Sequence, residues 1–201
     1  MTMDDPSPRP AIKPMQASQV VPMMLADGAI AFAVANLNPQ LLRQAVVCIS
    51  TDAQQWGNLS VTIQNNTDEV VSLDTSSLVK LLVSPTFLTT DQIQAITVAA
   101  ESGWNGEAVA NGGDCYFALS PAAPISLPSG GLTTVPLQNV LASSDALGTR
   151  KFRFEYSGFD GTPDHGRDVW VACQNPPSPL NQDWPLQFSF QSRPQNELRC
   201  G

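Results

Sequence analysis

Residues 58 to 73 read NLSVTIQNNTDEVVSL, and this stretch decides the fold class predicted for the chain. Residues 59 to 64 alternate apolar and polar side chains, which is the period-2 pattern of a strand with one buried face. Residues 65 to 68, Asn-Asn-Thr-Asp, have turn chemistry, and residues 70 to 73 resume the apolar pattern. The stretch therefore predicts a β-hairpin, with a register fixed because a one-residue shift would expose its apolar face.

Short apolar or alternating runs elsewhere predict about eight to ten strands in all. The other predicted strands cover residues 29–35, 45–50, 79–83, 115–119, 132–137, 151–156, 169–173 and 186–192. The strand at 132–137 contains Pro136, which predicts an edge position because proline lacks an N–H. Short strands punctuated by turn residues indicate an all-β fold: a single antiparallel β-sandwich of the immunoglobulin-like or jelly-roll type. The run ISLPSGGLTTVPLQ, residues 125–138, resembles the strand-turn-strand unit of bacterial immunoglobulin-like modules.

One short helix is predicted within LTTDQIQAI, residues 88–96, with Thr89 or Thr90 as its cap. Asp91 would then lie in the first turn, where a carboxylate is favourable to the helix dipole. A second short helix could be capped by Asn38 and begin at Pro39, the first helical position, where proline is tolerated. Residues 102–114, SGWNGEAVANGGD, have the composition of a loop.

The domain organisation is predicted as an arm followed by one domain. Residues 1–18 contain four prolines and form an extended Pro-rich N-terminal arm, because proline disfavours regular helix. This arm is either a tail or an element that docks on a neighbouring subunit. Residues 19–201 form the single β-sandwich domain, a size that one hydrophobic core can support.

The charge composition excludes some classes of function. Charged residues make up 14% of the 201-residue chain, and the formal net charge is −8. An acidic chain lacks the Lys and Arg that neutralise phosphates, so no nucleic-acid partner is expected. The densest basic run, RKFRF at residues 150–154, alternates charged and aromatic residues, which is typical of a strand with one solvated face.

Targeting and cysteine patterns also limit the prediction. The first 16 residues lack a basic segment followed by an apolar one, and the apolar run at residues 26–35 is too short to span a bilayer. We therefore expect neither a Sec signal peptide nor a membrane anchor. The expected location is the cytoplasm, or outside the cell after export by a signal-independent route. No two of the four cysteines form a CxxC pair, and buried free thiols are favoured, although one disulfide is left open. The cysteines are Cys48, Cys115, Cys173 and Cys200.

A calcium site is the one cofactor that the sequence suggests. Asp160, Asp164 and Asp168 lie in FDGTPDHGRD, and a loop with three carboxylates could supply oxygen ligands to Ca²⁺. The alternative is a solvated hairpin loop, since Asp, Gly and Pro are common turn residues. The single histidine, His165, could act as a base, but no G-x-S-x-G nucleophile elbow accompanies it.

Tryptophans provide the candidate ligand-binding residues. Trp56, Trp104 and Trp184 lie beside Gly, Asn, Gln or Pro, as loop residues do, and exposed indoles can stack on sugars or anchor protein partners. The alternative is that each caps the sandwich core. Trp170 lies in an apolar run and is predicted to be a core residue.

The predicted function is therefore non-enzymatic. We expect a β-sandwich protein acting in protein–protein interaction or assembly, as a subunit of a larger particle, fibre or secreted complex. The first alternative is a carbohydrate-binding module that uses the loop tryptophans, with calcium as an optional cofactor. The second alternative is a hydrolase in which two of Glu101, Glu107 and Glu155 form the carboxylate pair.

Overall fold

Two β-sheets packed face to face make up the fold. The computed structural model describes residues 28–41, 43–111 and 114–177. The strands in this part of the chain are β1 Ile30–Asn36, β2 Val46–Cys48, β3 Leu59–Asn65, β4 Val71–Val83, β5 Thr97–Val98, β6 Trp104–Asn111, β7 Asp114–Pro121, β8 Ile125–Leu127, β9 Leu132–Gln138, β10 Gly148–Asp160 and β11 His165–Gln174. The helices are α1 Ala53–Trp56 and α2 Thr90–Ala95, preceded by a 3₁₀ turn at Pro39–Leu41.

The strand order defines a four-stranded and a seven-stranded sheet. The smaller sheet has the order β1-β3-β9-β5, and the larger has the order β2-β11-β10-β4-β7-β6, with β8 also paired to β4. The predicted all-β sandwich is confirmed. Its strands pair antiparallel except for β2, which runs parallel to β11.

The core lies between the sheets and is built by alternation along the strands. Leu59, Val61 and Ile63 of β3 point inward, as the period-2 pattern predicted. On β10 the inward residues are aromatic, and Phe154 stacks on Phe32 of the opposite sheet with ring centroids 4.8 Å apart. A second, smaller cluster contains Trp56 and lies beside the main core.

The hairpin predicted for residues 58–73 is wrong, because its two strands lie in different sheets. β3 pairs with β1 and β9, whereas β4 pairs with β10 and β7. The buried side chain of Asn65 fixes the crossing between the sheets. Its Nδ2 donates hydrogen bonds to the carbonyls of Glu69, Leu127 and Pro128, and its Oδ1 accepts from Thr67. Turn residues are present at this point, but they form a corner between the two sheets rather than a hairpin within one sheet.

The predicted helix is confirmed as α2. The Thr89 Oγ1 accepts from the Gln92 N–H, and the Thr89 N–H donates to the Gln92 Oε1. These two hydrogen bonds form a capping box. Asn38 accepts a hydrogen bond at the start of the 3₁₀ turn, in place of the short α-helix considered there. The helix α1 was not predicted; Asp52 caps it by accepting from the Gln55 N–H.

Two segments predicted as loops are largely strand. The Gly- and Asn-rich stretch at 102–114 contains all of β6, which pairs along its length with β7. In the segment that follows residue 156, β10 continues to Asp160 and β11 begins at His165, so only residues 161–164 connect them. Pairing between neighbouring strands outweighs the turn composition in both segments.

The edge position predicted for the strand containing Pro136 is wrong. This strand, β9, lies between β3 and β5. The neighbour β5 is only two residues long, and Pro136 contributes its carbonyl, which accepts from the Ala99 N–H. The missing N–H of proline is therefore not required at this position.

Several predictions fall outside the described residues. These are the arm at 1–18, the strand at 186–192, Trp184 and Cys200. The boundary at residue 19 also stays a prediction. Cys48, Cys115 and Cys173 lie inside the described part and are free thiols there, with Cys48 and Cys173 buried.

Candidate binding surface

The outer face of the seven-stranded sheet carries the most prominent exposed side chains of the described residues. Along β10, Lys151, Arg153 and Glu155 alternate with the buried aromatic residues and so point away from the core. We use "outer face" for these residues together with their cross-strand neighbours. Those neighbours are Lys80, Leu82, Tyr116, Asp168 and Trp170.

Trp170 is exposed, and its prediction as a core residue is wrong. Its side chain is 60% exposed, because Val169 and Val171 on either side take the inward positions of β11. Trp170 lies opposite Lys151 in the antiparallel pair, and the Lys151 Nζ is 6.0 Å from the centre of the indole ring. This distance is within the range of a cation–π contact. Residues 169–173 are apolar throughout, so the sequence has no polar alternation there that marks Trp170 as outward-facing.

Ion pairs organise the charges next to Trp170. Asp168 receives Lys151 Nζ at 2.8 Å and Arg153 Nη1 at 3.4 Å, and Arg153 Nε lies 3.0 Å from Glu155 Oε1. The hydrogen bond from Lys151, with the charges of Lys151 and Arg153, holds the pKa of Asp168 below its usual value. At neutral pH Asp168 is therefore ionised and positions both cations.

A second aromatic residue lies on the same face. Tyr116 of β7 is opposite Leu82 of β4, which is opposite Arg153 of β10. The Lys80 Nζ lies 5.3 Å from the centre of the Tyr116 ring. Three strand spacings separate β7 from β11, so Tyr116 and Trp170 stand on backbones about 14 Å apart. The outer face thus presents two aromatic rings, each accompanied by a lysine.

A groove opens beside Trp170, where β10 begins and β4 ends. Its volume is about 470 Å³. Leu82, Phe87 and Trp170 supply apolar surface, and Arg150, Lys151 and Arg153 supply positive charge. We call this the basic groove. Sequence reasoning noted the basic run in β10 but not the groove, because the segment that contains Phe87 is distant in sequence.

The three aspartates considered for calcium do not form one group. Asp168 is bonded to two cations on the outer face, whereas Asp160 and Asp164 line a separate cleft of about 670 Å³ at the other end of β10. In that cleft the Asp164 Oδ1 accepts from the Gly158 N–H. Among the residues that the structure describes, no three His, Cys, Asp or Glu side chains are placed to hold a metal ion. The geometry therefore gives the calcium prediction no support.

Two of the three candidate tryptophans are buried. Trp56 ends α1 and packs in the smaller core cluster, and Trp104 begins β6 and packs in the main core. The Trp104 Nε1 donates to the Thr133 Oγ1 at 3.4 Å. The alternative of core capping describes both residues, and neither presents its ring to a ligand.

The glutamates considered for hydrolysis lie apart. Glu155 and Glu107 stand on one row of the larger sheet, with Lys80 and Ala118 between them. Three strand spacings place their backbones about 14 Å apart, and the Glu155 carboxylate is paired with Arg153 Nε at 3.0 Å. Glu101 is exposed in the turn before β6.

No protein-family model matches the chain, and no curated protein matches it. Among solved structures, a GH20 exo-β-N-acetylglucosaminidase from Vibrio harveyi is similar at 14% identity and a TM-score of 0.32, over 75% of this chain and only 19% of that one. A cohesin module from a Clostridium perfringens family 33 glycoside hydrolase is similar at 9% identity and a TM-score of 0.36, over 71% and 96% of the two chains. The carbohydrate-binding module CBM3b from Clostridium thermocellum cellobiohydrolase 9A is similar at 12% identity and a TM-score of 0.35, over 70% and 96%.

The strand pairing described above, rather than these similarities, defines the β-sandwich. Within the described ranges, no helix has the length and apolar character needed to cross a membrane.

Proposed function

We propose that the protein is a non-enzymatic binding module that contacts a protein partner through the outer face. The observation that carries this proposal is the exposure of Trp170 on a regular sheet face, between Lys151 and the ion-paired Asp168. A tryptophan with this exposure leaves a large apolar surface in water, and burying it against a partner is favourable. Trp, Tyr and Arg are also the residues enriched at interface hot spots.

The architecture favours this function over catalysis. Trp170, Lys151 and Arg153 stand on two long paired strands, so their positions are held before a partner arrives. Preorganisation lowers the entropy lost on binding. In this proposal the protein is a subunit or adaptor in a larger assembly, and its partner is another protein or a second copy of the chain.

Site-specific photocrosslinking tests the proposal. A photoreactive amino acid is placed at position 170 in one variant and at position 132 in a control, because Leu132 is equally exposed, at 59%, but lies on the other sheet. We expect a defined protein adduct from position 170 in the source cells and none from position 132. Equal adducts from both positions, or none from either, would contradict the proposal.

Carbohydrate binding is the second candidate, favoured by the Trp170 and Tyr116 rings on one regular sheet face. Indole and phenol rings offer apolar faces against which sugar rings stack. Titration with a panel of soluble glycans, followed by tryptophan fluorescence, measures this directly. A response in the wild type that disappears in Trp170→Ala would favour this candidate over a protein partner.

A further inference from the structure

We infer that the basic groove binds an acidic segment of the partner, in which carboxylates flank an apolar side chain. This inference rests on the proposed function and adds the chemistry of the partner. The chain has a net charge of −8 and ten Lys and Arg residues, and three of those ten, Arg150, Lys151 and Arg153, line one groove. Such local concentration of positive charge in an acidic protein is complementary to an anionic ligand.

The charges of the groove are only partly neutralised. Asp168 is bonded to Lys151 and Arg153, and Glu155 is bonded to Arg153, so three cations and two anions leave a local charge of +1. Lysine has three donors and arginine has five, and the ion pairs described above use a minority of them. The remaining N–H groups can donate hydrogen bonds to further carboxylates, and arginine can do so in a bidentate geometry.

Arg150 supports an anionic occupant independently. Its guanidinium is held at the rim of the groove by two backbone carbonyls, those of Thr149 at 3.1 Å and Asp145 at 3.3 Å. Its Nε is buried and has no hydrogen-bond partner within the part of the chain that the structure describes. Both of these hydrogen-bond acceptors are neutral backbone carbonyls. They therefore leave the positive charge of Arg150 without a carboxylate to neutralise it.

The rest of the groove selects an apolar side chain. Leu82 and Trp170 form its wall on the outer face, and the buried Phe87 closes it toward the core. A leucine or aromatic side chain of the partner would bury apolar area here, next to the cations. A segment that combines carboxylates with one apolar side chain satisfies both parts of the groove.

The lining argues against a sugar as the occupant. Sugar hydroxyls both donate and accept hydrogen bonds, but among the described residues no Asp, Glu, Asn or Gln side chain lines the groove to accept from them. The hydroxyls of Ser84 and Thr86 are 2.9 Å apart and bond to each other. Donors and apolar surface therefore dominate, and these suit carboxylates and hydrocarbon.

Fluorescence anisotropy with labelled peptides tests the inference. The probes are a Glu-rich peptide with one central leucine, the same peptide with Gln in place of Glu, and a labelled polygalacturonate. For the wild-type chain at low salt, we expect the Glu peptide to bind. The Gln peptide should bind more weakly than the Glu peptide, by about tenfold or more. Binding of the Glu peptide should fall as salt screens the exposed charges.

Two charge variants and one control locate the site. Lys151→Glu with Arg153→Glu should weaken binding of the Glu peptide by about tenfold or more, and the milder pair Lys151→Gln with Arg153→Gln should act in the same direction. Arg43→Glu lowers the net charge by two units, as the Gln pair does, at an exposed residue outside the groove, and should leave binding unchanged. Thermal melting of each variant establishes that it is folded.

The outcomes separate the inference from the proposed function. If the charge variants bind the Glu peptide as the wild type does, or if polygalacturonate binds and the Glu peptide does not, the inference is overturned. If crosslinking from position 170 still captures the same protein in the charge variants, the proposed function stands and the acidic chemistry of the partner is wrong. Loss of both peptide binding and crosslinking in the charge variants supports the inference.

Discussion

Phe32 of β1 and Phe154 of β10 stack in parallel across the sandwich, with their ring planes 2° apart. The pair joins an edge strand of the small sheet to the middle of the large one, so it couples the two sheets directly. Phe152, Tyr156 and Phe159 extend the aromatic contacts along β10. The packing between the sheets therefore depends strongly on one strand.

Replacing Phe154 should destabilise the fold strongly. We expect Phe154→Ala to lower the free energy of unfolding by about 3–5 kcal/mol, because the substitution removes buried area and leaves a cavity. Trp170→Ala, on the adjacent strand but exposed, should change it by about 0.5 kcal/mol or less. Urea unfolding of the two variants beside the wild type measures both values. Equal losses would show that Trp170 is also structural.

The corner at Asn65 gives a second prediction. Asn65→Asp removes the Nδ2 donor, which serves three buried or partly buried carbonyls, and places a carboxylate in the core. We expect a loss of about 1–3 kcal/mol or more at neutral pH. Asn66→Asp is the matched control, because Asn66 is exposed and next in sequence. If chemical denaturation gives the two variants the same midpoint, the side chain of Asn65 does not hold the corner.

The irregular pairing of β10 at Gly158 gives a third prediction. Gly158 has φ of 70° and lies where the register of β10 against β4 shifts. An alanine Cβ there would be 3.4 Å from the Ser77 Cα, whereas at Gly130, with φ of 69°, it would meet nothing within 4 Å. Both Gly→Ala variants should lose about 1 kcal/mol from backbone strain. Differential scanning calorimetry should show an equal or larger loss for Gly158; a larger loss for Gly130 would contradict this account.

Buried thiols give a fourth prediction, which concerns alkaline pH. Burial raises the pKa of Cys173 to about 11, from an ordinary value of 9.0, and also raises the pKa of Cys48. A raised folded-state pKa stabilises the fold below the unfolded-state value, and this contribution is lost as pH rises from about 9 toward 11. We expect the unfolding free energy to fall over that window, and to fall less in Cys173→Ala.

Alkylation checks the same point by a different route. With iodoacetamide at neutral pH, site-resolved mass spectrometry should show Cys115, which is half-buried, reacting faster than Cys48 and Cys173. The thiolate is the reactive form, and both burial and a raised pKa suppress it. Rapid modification of Cys173 in the folded protein would refute the predicted protection.

Local patterns in the sequence predicted the strands better than their partners. The alternation at residues 59–64 correctly predicted the inward face of β3, and Thr89, one of the two caps considered, correctly marked the start of α2. Pairing was not predictable, because the turn residues at 65–68 are compatible both with a hairpin and with a corner between sheets. Two of the carbonyls that Asn65 binds at this corner, those of Leu127 and Pro128, are 62 and 63 residues away in the sequence.

The candidate site was also predictable only within single strands, and not where it depends on the pairing between strands. The alternation of RKFRF predicted a solvated face on β10, and that face carries Lys151 and Arg153. Trp170 was misplaced because a run of apolar residues hides its alternation, and Asp168 was placed in a loop because its neighbours favour turns. Only the register of β10 against β11 brings Trp170 and Asp168 beside the same two cations.

Charges of opposite sign stand at the two ends of β10. Its positive end is at Arg150 and its negative end is at Asp160, ten residues later in an extended strand, or about 34 Å away. This separation exceeds the screening length of about 8 Å at physiological salt, so each end acts on its own surroundings. At low ionic strength this screening weakens, and both ends of β10 act on a charged partner that approaches the strand.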